Sequence, residues 1–330
     1  MRRIYYRKHR RRRGAQKRLI ILLACTLLLI LSIITIRSLL NNFIHPSRDV
    51  KSAKSDTETI ITEQEPTHAQ SIQKPNSSTL GKVIGDTLVG TKGSYGIIVQ
   101  NLKTNEYYAT NEHTKYNSAS LYKLWVMLTV FDQINNGTLS RDTILNQDVK
   151  ILNKKFNIGS ESAEQTEGTI KMSVGDALEK MIVISDNYSA LLLTEKVKLS
   201  AISSLLKKNG LYESQLGKSD TPPITTPYDI GLFFEKLYQG KLADKKTTDE
   251  MITLLKNQRL NDKIPRYLPD NIIAAHKTGE LDEYSHDAGI LYTPDYDYIL
   301  VALTKSDNPE AAEVRISNIS QEVFGYFNHN

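Results

Sequence analysis

Hydrophobic and polar residues change their pattern twice along the chain. Residues 19–36, LIILLACTLLLILSIITI, are largely apolar and carry no charge, whereas residues 37–79 are polar and show neither a helical nor an alternating apolar period. From residue 80 onward, segments with one period or the other follow each other to the end. This pattern predicts a tail over 1–18, an apolar segment over 19–36, a flexible linker over 37–79 and a folded domain over 80–330.

The predicted domain has strands at both ends and helices between them. A helix over GKVIGDTLVG and a hairpin of SYGIIVQNL and EYYATN open it. In the middle, Ser173 and Asp176 have the spacing of a capping box, and Thr226 followed by Pro227 predicts a helix that stops at Gly240. We therefore expect an α+β fold whose antiparallel sheet joins N- and C-terminal strands and packs on a helical subdomain. The closing elements are three strands, NIIAAHKTG, DAGILYT and YDYILVALT, and the helix PEAAEVRISNISQEVFGYF.

The N-terminal residues predict a membrane anchor. Ten of the first 18 residues are Lys or Arg and none is acidic, and the 18 residues that follow are just long enough to cross a bilayer. This order predicts a cytoplasmic N-terminus, a single span and a domain on the extracellular side of a cell membrane. Two alternatives stay open: a cleaved signal peptide, and lipidation at Cys25, although six apolar residues precede this cysteine and eleven follow it.

Charge and composition exclude two classes of function. The chain has 42 basic and 37 acidic residues, but 12 of the basic and one of the acidic residues lie within the first 50. The remainder carries a net charge of about −6, so the positive charge belongs at lipid headgroups and no nucleic-acid partner is expected. Cys25 is the sole cysteine and no H-x-H or H-E-x-x-H spacing occurs, so no metal and no other cofactor is expected.

Three short motifs carry the candidate chemistry. Ser120 and Lys123 lie three residues apart where an apolar run begins, so on a helix their side chains share a face. A Ser hydroxyl needs a base before it attacks a carbonyl, and a Lys serves as one when burial and a second cation disfavour its charged form. The motif S-D-N follows at 185–187 and K-T-G at 277–279. Each motif alone is weak evidence for a function, whereas the occurrence of all three in this order is specific.

The set S-x-x-K, S-D-N and K-T-G resembles the signature of class A β-lactamases and penicillin-binding proteins. The resemblance runs from about residue 90 to the C-terminus and implies that Ser120 is an acylated nucleophile and Lys123 its base. It also implies a proton relay at Ser185 and an oxyanion hole made by the backbone N–H groups of Ser120 and Glu280. The implied substrate-binding residues are Asn187, Lys277, Thr278, Gly279 and Glu280, with Lys277 and Thr278 at the substrate carboxylate.

The chain departs from the class A pattern at two places. That family has an Ω-loop with E-x-x-L-N, whose Glu activates the deacylating water; here Glu213 and Leu216 fit, Gly217 replaces the Asn, and the loop is shorter. Glu213 is therefore a candidate deacylating base, with a surface Glu in a turn as the alternative. No Arg for the substrate carboxylate follows K-T-G, and Glu280 adds a negative charge there.

Taken together, the sequence predicts a membrane-anchored extracellular serine hydrolase. We expect β-lactams to acylate Ser120 and the β-lactam amide to be hydrolysed, with slow deacylation. Two alternatives stay open. One is a D,D-peptidase acting on D-Ala-D-Ala-type stem peptides of peptidoglycan, and the other is a non-catalytic wall-binding or sensor module. His276 and His286 are assigned no catalytic role.

Overall fold

The central sheet is built from both ends of the described chain. A computed structural model describes residues 76–217 and 221–328. Five antiparallel strands lie in the order β2-β1-β9-β8-β7, which confirms the predicted α+β fold. These strands are β1 (Ser94–Asn101), β2 (Tyr107–Thr110), β7 (Ile273–Leu281), β8 (Tyr284–Tyr292) and β9 (Tyr298–Lys305).

The remaining elements cover the sheet or lie between β2 and β7. The short strands form two small separate sheets, in which β3 pairs with β6 and β4 pairs with β5. The helices are α1 (Ser78–Leu88), α2 (Lys123–Asn135), α3 (Val149–Lys155), α4 (Val174–Val183), α5 (Asn187–Val197), α6 (Leu199–Lys208), α7 (Pro227–Tyr238), α8 (Lys245–Lys256) and α9 (Pro309–Asn328), and the short strands are β3 (Tyr116–Asn117), β4 (Ile144–Asp148), β5 (Thr169–Ser173) and β6 (Ile224–Thr225).

Both faces of the sheet are buried. Along β9, the side chains of Leu300 and Ala302 belong to a core that includes residues of α1 and α9. The alternate residues Val301 and Leu303 belong to a larger core formed with the helical part of the chain. Because successive strand residues point to opposite faces, a strand covered on both sides reads as one continuous apolar run, as YILVALT does.

Helix α2 lies at the centre of the larger core. Its first nine residues, Lys123 to Phe131, are all buried, so it is covered on every side rather than on one stripe. This explains why the run after Ser120 is apolar without an amphipathic period. It also carries the side chain of Lys123, the first residue of the helix, into the protein interior.

Most predicted elements are confirmed, with shifted ends. Helix α1 begins at Ser78 rather than at Gly81 as predicted, since Ser77 Oγ accepts a hydrogen bond from the N–H of Leu80. Strand β8 begins three residues earlier than predicted, because a tight turn with Asp282 at φ = +48° lets Leu281 pair with Tyr284. The small sheets are not predicted, since β4 and β5 are mostly exposed or half-buried and lack a clear alternation.

The predicted tail, anchor and most of the linker lie outside the described residues. Residues 1–75, including Cys25 and the segment 19–36, belong to this part. Within residues 76–217 and 221–328, none of the helices combines the length and the apolar character needed to cross a membrane. The membrane anchor therefore stays a prediction from the sequence.

Substitution of Gly289 tests how tightly β8 lies against β7. A Cβ atom at Gly289 would lie 2.5 Å from the Cβ of His276 and closer still to the Ala275 carbonyl oxygen. We expect Gly289→Ala to lower the free energy of unfolding by about 2 kcal/mol, because overpacking a tight core typically costs 1–3 kcal/mol. Urea unfolding followed by circular dichroism measures the change.

The matched control is Gly85→Ala in the exposed interior of α1. A Cβ there meets nothing within 4 Å, so the same substitution should raise the free energy of unfolding by up to about 1 kcal/mol through helix propensity. Equal stability of Gly289→Ala and wild type would show that β7, which carries the K-T-G motif, can move away from β8 at no cost.

Candidate active site

Ser120 lies in a short 3₁₀ turn, Ala119–Tyr122, that continues directly into α2. Strands β3 and β6 fix the start of this turn, since the N–H of Ser118 donates to the carbonyl of Pro223 at 2.8 Å. Ala119 has φ = +45°, a left-handed conformation that costs an L-residue roughly 1–2 kcal/mol. The half-buried Ser120 side chain is thereby placed at the N-terminal end of a helical segment, as the sequence predicts.

The amine of Lys123 lies among three oxygen acceptors. Its Nζ is 2.7 Å from the Ser185 carbonyl oxygen, 3.1 Å from Ser185 Oγ and 2.8 Å from Asn187 Oδ1. Burial lowers the pKa of Lys123 to about 7, although the carboxylates of Asp186 and Glu164 act in the opposite direction. This lowered pKa favours the neutral amine, which is what a base for Ser120 requires.

Ser185 joins the two lysines of the predicted site. Lys277 Nζ lies 2.9 Å from Ser185 Oγ and 2.8 Å from the Thr278 carbonyl oxygen. The pKa of Lys277 is well below its usual range because the side chain is buried and Lys123 lies nearby. Ser185 Oγ thus lies within hydrogen-bond distance of both amines, and because a hydroxyl can both donate and accept, this is the arrangement that a proton relay needs.

A strained turn places Ser185 between the lysines. Ser185 has φ = +56° and separates α4 from α5. The next residue, Asp186, caps α5, since its side chain accepts a hydrogen bond from the N–H of Ser189 at 2.7 Å. A residue in this left-handed region persists only where its surroundings hold it, and here the cap and the two lysines do so.

Gly279 brings strand β7 against the nucleophile turn. A Cβ at Gly279 would lie 3.2 Å from the Ser118 carbonyl oxygen and 3.3 Å from the Ala119 Cβ. The missing side chain thus permits a close approach of the K-T-G strand to the residues that precede Ser120. Thr278 is itself buried, at 2% exposure.

The negative charge that Glu280 adds after K-T-G is balanced by a nearby cation. Its carboxylate is paired with the ammonium of Lys263, at 2.5 Å, and the Lys263 side chain is only 1% exposed. Lys263 precedes a 3₁₀ turn, Ile264–Tyr267, and is not identified by the sequence motifs. The segment after K-T-G lacks an Arg, but a buried cation from another segment, Lys263, lies at Glu280.

Glu213 is not part of this hydrogen-bond network. One of its carboxylate oxygens lies 2.8 Å from His113 Nδ1, and the other accepts from Thr226 Oγ1 at 2.7 Å. The backbone N–H of Glu213 donates to Asp229 Oδ2. The carboxylate is thus held by His113 and by the N-terminal cap of α7, and its role as a deacylating base stays a prediction without support from these contacts.

Glu164 is a second acidic residue that the sequence motifs do not identify. It lies in the segment between α3 and β5, and its carboxylate accepts a hydrogen bond from Asn187 Nδ2 at 2.8 Å. Asn187 is therefore held at both ends of its amide, by Lys123 and by Glu164. No sequence signal marks Glu164, because it reaches the site from an irregular segment 23 residues before Asn187.

The two histidines near the site have structural hydrogen bonds. His286 Nδ1 accepts from the N–H of Thr304 at 3.0 Å, so its Nε2–H donates to the Asn117 carbonyl at 2.8 Å. Burial lowers the pKa of His286 to about 4, and the ring is neutral at physiological pH. His276 Nδ1 lies 2.8 Å from Asp287 Oδ1. These contacts connect β7, β8 and β9 beneath the site.

Comparison with known proteins agrees with this geometry. The model of the β-lactamase enzyme family matches residues 79–327. No curated protein sequence matches the chain significantly.

Solved structures with the same fold include both hydrolases and penicillin-binding proteins. A β-lactamase from Sphaerobacter thermophilus is 20% identical, with a TM-score of 0.67 over 76% of this chain and 97% of that one. PBP-A is 18% identical, with a TM-score of 0.67 over 78% of this chain and 100% of that one. A PBP-A variant in an acyl-enzyme complex with penicillin G is 17% identical, with the same TM-score over 78% and 99% of the two chains.

Titration of the Lys123 side chain tests the electrostatics of the site. Because burial lowers its pKa, we expect the Lys123 amine to titrate near pH 7, about three units below an ordinary lysine. The pH dependence of lysine side-chain signals, measured by NMR on protein with labelled lysine, gives the midpoint. The Lys123→Met variant assigns the signal, and a midpoint near 10 would contradict a buried neutral amine.

Proposed function

Since this chain belongs to the β-lactamase enzyme family and is a serine hydrolase of the β-lactamase type, we propose that it is a membrane-anchored extracellular enzyme that β-lactams acylate at Ser120. In this proposal the acyl-enzyme is hydrolysed slowly. The observation that carries the proposal is the contact of Lys123 and Lys277 with one hydroxyl, that of Ser185, directly beside the turn that holds Ser120.

Acylation follows from the chemistry of these groups. The neutral amine of Lys123 removes the proton of Ser120, and Ser120 Oγ attacks the carbonyl carbon of the β-lactam ring. The backbone N–H groups of Ser120 and Glu280 stabilise the negative charge that develops on the carbonyl oxygen. The ring C–N bond then breaks, and Ser185 passes a proton to the leaving nitrogen.

Slow deacylation is supported by the contacts of Glu213. Hydrolysis of an acyl-enzyme needs a base that activates water, and Glu213 is the carboxylate that the sequence offers for this step. Its two oxygens are held by His113 and Thr226. Each oxygen thus already has a partner, which leaves this carboxylate less available to activate a deacylating water.

Anchoring and location are supported by the sequence alone. Residues 19–36 have the length and apolar character of a membrane span, and the basic residues before them favour a cytoplasmic N-terminus. A flexible linker over residues 37–79 would give a reach on the order of 35 Å. The catalytic domain would thus work close to the outer surface of the bacterial membrane, where cell-wall peptides lie.

A D,D-peptidase acting on D-Ala-D-Ala-type stem peptides is the second candidate function. The contacts of Glu213 with His113 and Thr226, which disfavour rapid β-lactam hydrolysis, favour this second function. The shared fold with PBP-A, a variant of which forms an acyl-enzyme with penicillin G, also supports it. Release of D-Ala from a stem peptide, compared with the lifetime of a penicillin adduct, separates the two functions.

The lifetime of the penicillin adduct tests the proposal directly. We expect the full-length protein incubated with benzylpenicillin to gain the mass of one penicillin, and the Ser120→Ala variant to gain none. Intact-mass spectrometry over time measures both formation and loss of the adduct. An adduct that persists for many minutes supports slow deacylation, rapid turnover contradicts it, and an adduct that remains in Ser120→Ala would place the nucleophile elsewhere.

Loss of the base should slow acylation without preventing binding. Because general-base catalysis typically contributes 10²–10⁴-fold, we expect Lys123→Met to lower the acylation rate roughly a hundredfold or more. In the wild type the rate should rise with pH through about 7, since the neutral amine predominates above its pKa. Lys245→Met, which removes a lysine whose side chain is 88% exposed, is the matched control and should leave the rate unchanged. A pH-independent wild-type rate would exclude Lys123 as the base.

A further inference from the structure

The ion pair between Lys263 and Glu280 has an unusual distribution of exposure. The Lys263 side chain is 1% exposed, whereas that of Glu280 is 57% exposed, and their charged atoms lie 2.5 Å apart. Removing an ammonium from water costs several kcal/mol unless an anion accompanies it. The carboxylate that supplies this anion reaches inward from the surface, so the ammonium lies just beneath a position that solvent can reach.

Glu280 of this ion pair directly follows Gly279, whose backbone packs against Ser118 and Ala119, the two residues before Ser120. Thr278 and Glu280 are two residues apart on β7, so their side chains share one face of the strand. Lys277, which precedes Thr278, is hydrogen-bonded to Ser185. The positive charge of Lys263 contributes to the lowered pKa of Lys277. Glu280 holds Lys263 against this part of β7, and the Lys263 ammonium forms a place that attracts an anion.

The protein itself occupies this place. An incoming carboxylate has to displace the Glu280 carboxylate from Lys263, or bind beside it and meet a like charge a few ångströms away. At such a separation two like charges repel each other by an energy that reduces affinity roughly tenfold or more at a protein surface. An ester, or an amide that continues a peptide chain, carries no such charge and meets no such competition.

We propose that Glu280 is a specificity-determining residue, an internal carboxylate that holds Lys263 and disfavours acyl substrates with a free carboxylate on the leaving-group side. The preferred substrates are then amides or esters that are uncharged at this position, such as a peptide that continues beyond the cleaved bond. This inference rests on the proposed acylation of Ser120.

A pair of compounds that differ in one charge tests this proposal. The acylation rates of the full-length protein with benzylpenicillin and with its methyl ester are compared by intact-mass spectrometry. We expect Glu280→Gln to raise the rate for the free acid roughly tenfold and to change the rate for the ester less than twofold. Gln keeps a carbonyl oxygen that accepts a hydrogen bond from Lys263, so the buried ammonium retains a partner.

A matched control removes the same charge from the same hairpin. Glu283 follows Glu280 by three residues and pairs with Lys305 at the surface, at 3.3 Å. We expect Glu283→Gln to change the rates for acid and ester equally, and by less than twofold. A rise for the acid in this control would show that net charge, rather than the position of Glu280, controls the rate.

A second variant acts in the opposite direction. Lys263→Met removes the buried ammonium and leaves Glu280 in place, so we expect the acylation rate of the free acid to fall more than that of the ester, which lowers the acid-to-ester ratio. This variant also decides the question if Glu280→Gln does not fold. Thermal unfolding of each variant identifies that case.

The outcomes separate failure of this inference from failure of the proposed function. Equal changes for acid and ester, or no change in either, would overturn the role of Glu280 while acylation itself stands. If neither compound acylates the wild type or any variant, the proposed acylation fails and the inference fails with it. The expected result is a change in the ratio of the two rates that is confined to the Glu280 and Lys263 variants.

Discussion

The site depends on keeping two lysine side chains out of water. Lys123 and Lys277 are fully buried, and burial disfavours their charged forms. A buried amine that lacks hydrogen-bond partners would be costly, and here backbone carbonyls, the Ser185 hydroxyl and the Asn187 amide provide them. Helix α2, covered on all sides, and the doubly covered sheet supply the apolar surroundings that make this arrangement stable.

Strain at the site is concentrated in the residues that position polar groups. Ala119 and Ser185 both have left-handed backbone conformations. The hydrogen bond from Ser118 to Pro223 fixes the chain next to Ala119, and the two lysines hold Ser185. Conformations of this kind cost of order 1–3 kcal/mol each, and the large core offsets them. The nucleophile turn and the S-D-N turn are thus held in place by the fold rather than by their own conformational preferences.

The sequence predicts those features whose signal is local. The spacing of Ser120 and Lys123 is a helix-face relation, and the continuous apolar run of β9 follows from burial on both faces. Glu164 and Lys263 were not predicted, because each reaches the site from an irregular segment with no apolar period. Glu213 fits a four-residue pattern, but its position is decided by His113 and Thr226, which lie far from it in the sequence. Contacts of this kind require the folded structure.

The pairing of β1 with β9 also determines when the domain can fold. Ser94 pairs with Lys305, so β1, near the start of the domain, cannot pair with β9 until about two hundred further residues have been synthesised. Closing so long a loop is entropically costly, and folds with such contacts form slowly. Both sides of β1 and β9 are apolar, and until they meet, these surfaces are exposed to other chains. The same topology that joins both ends of the described chain into one sheet therefore delays completion of the sheet until the C-terminal strands have been synthesised.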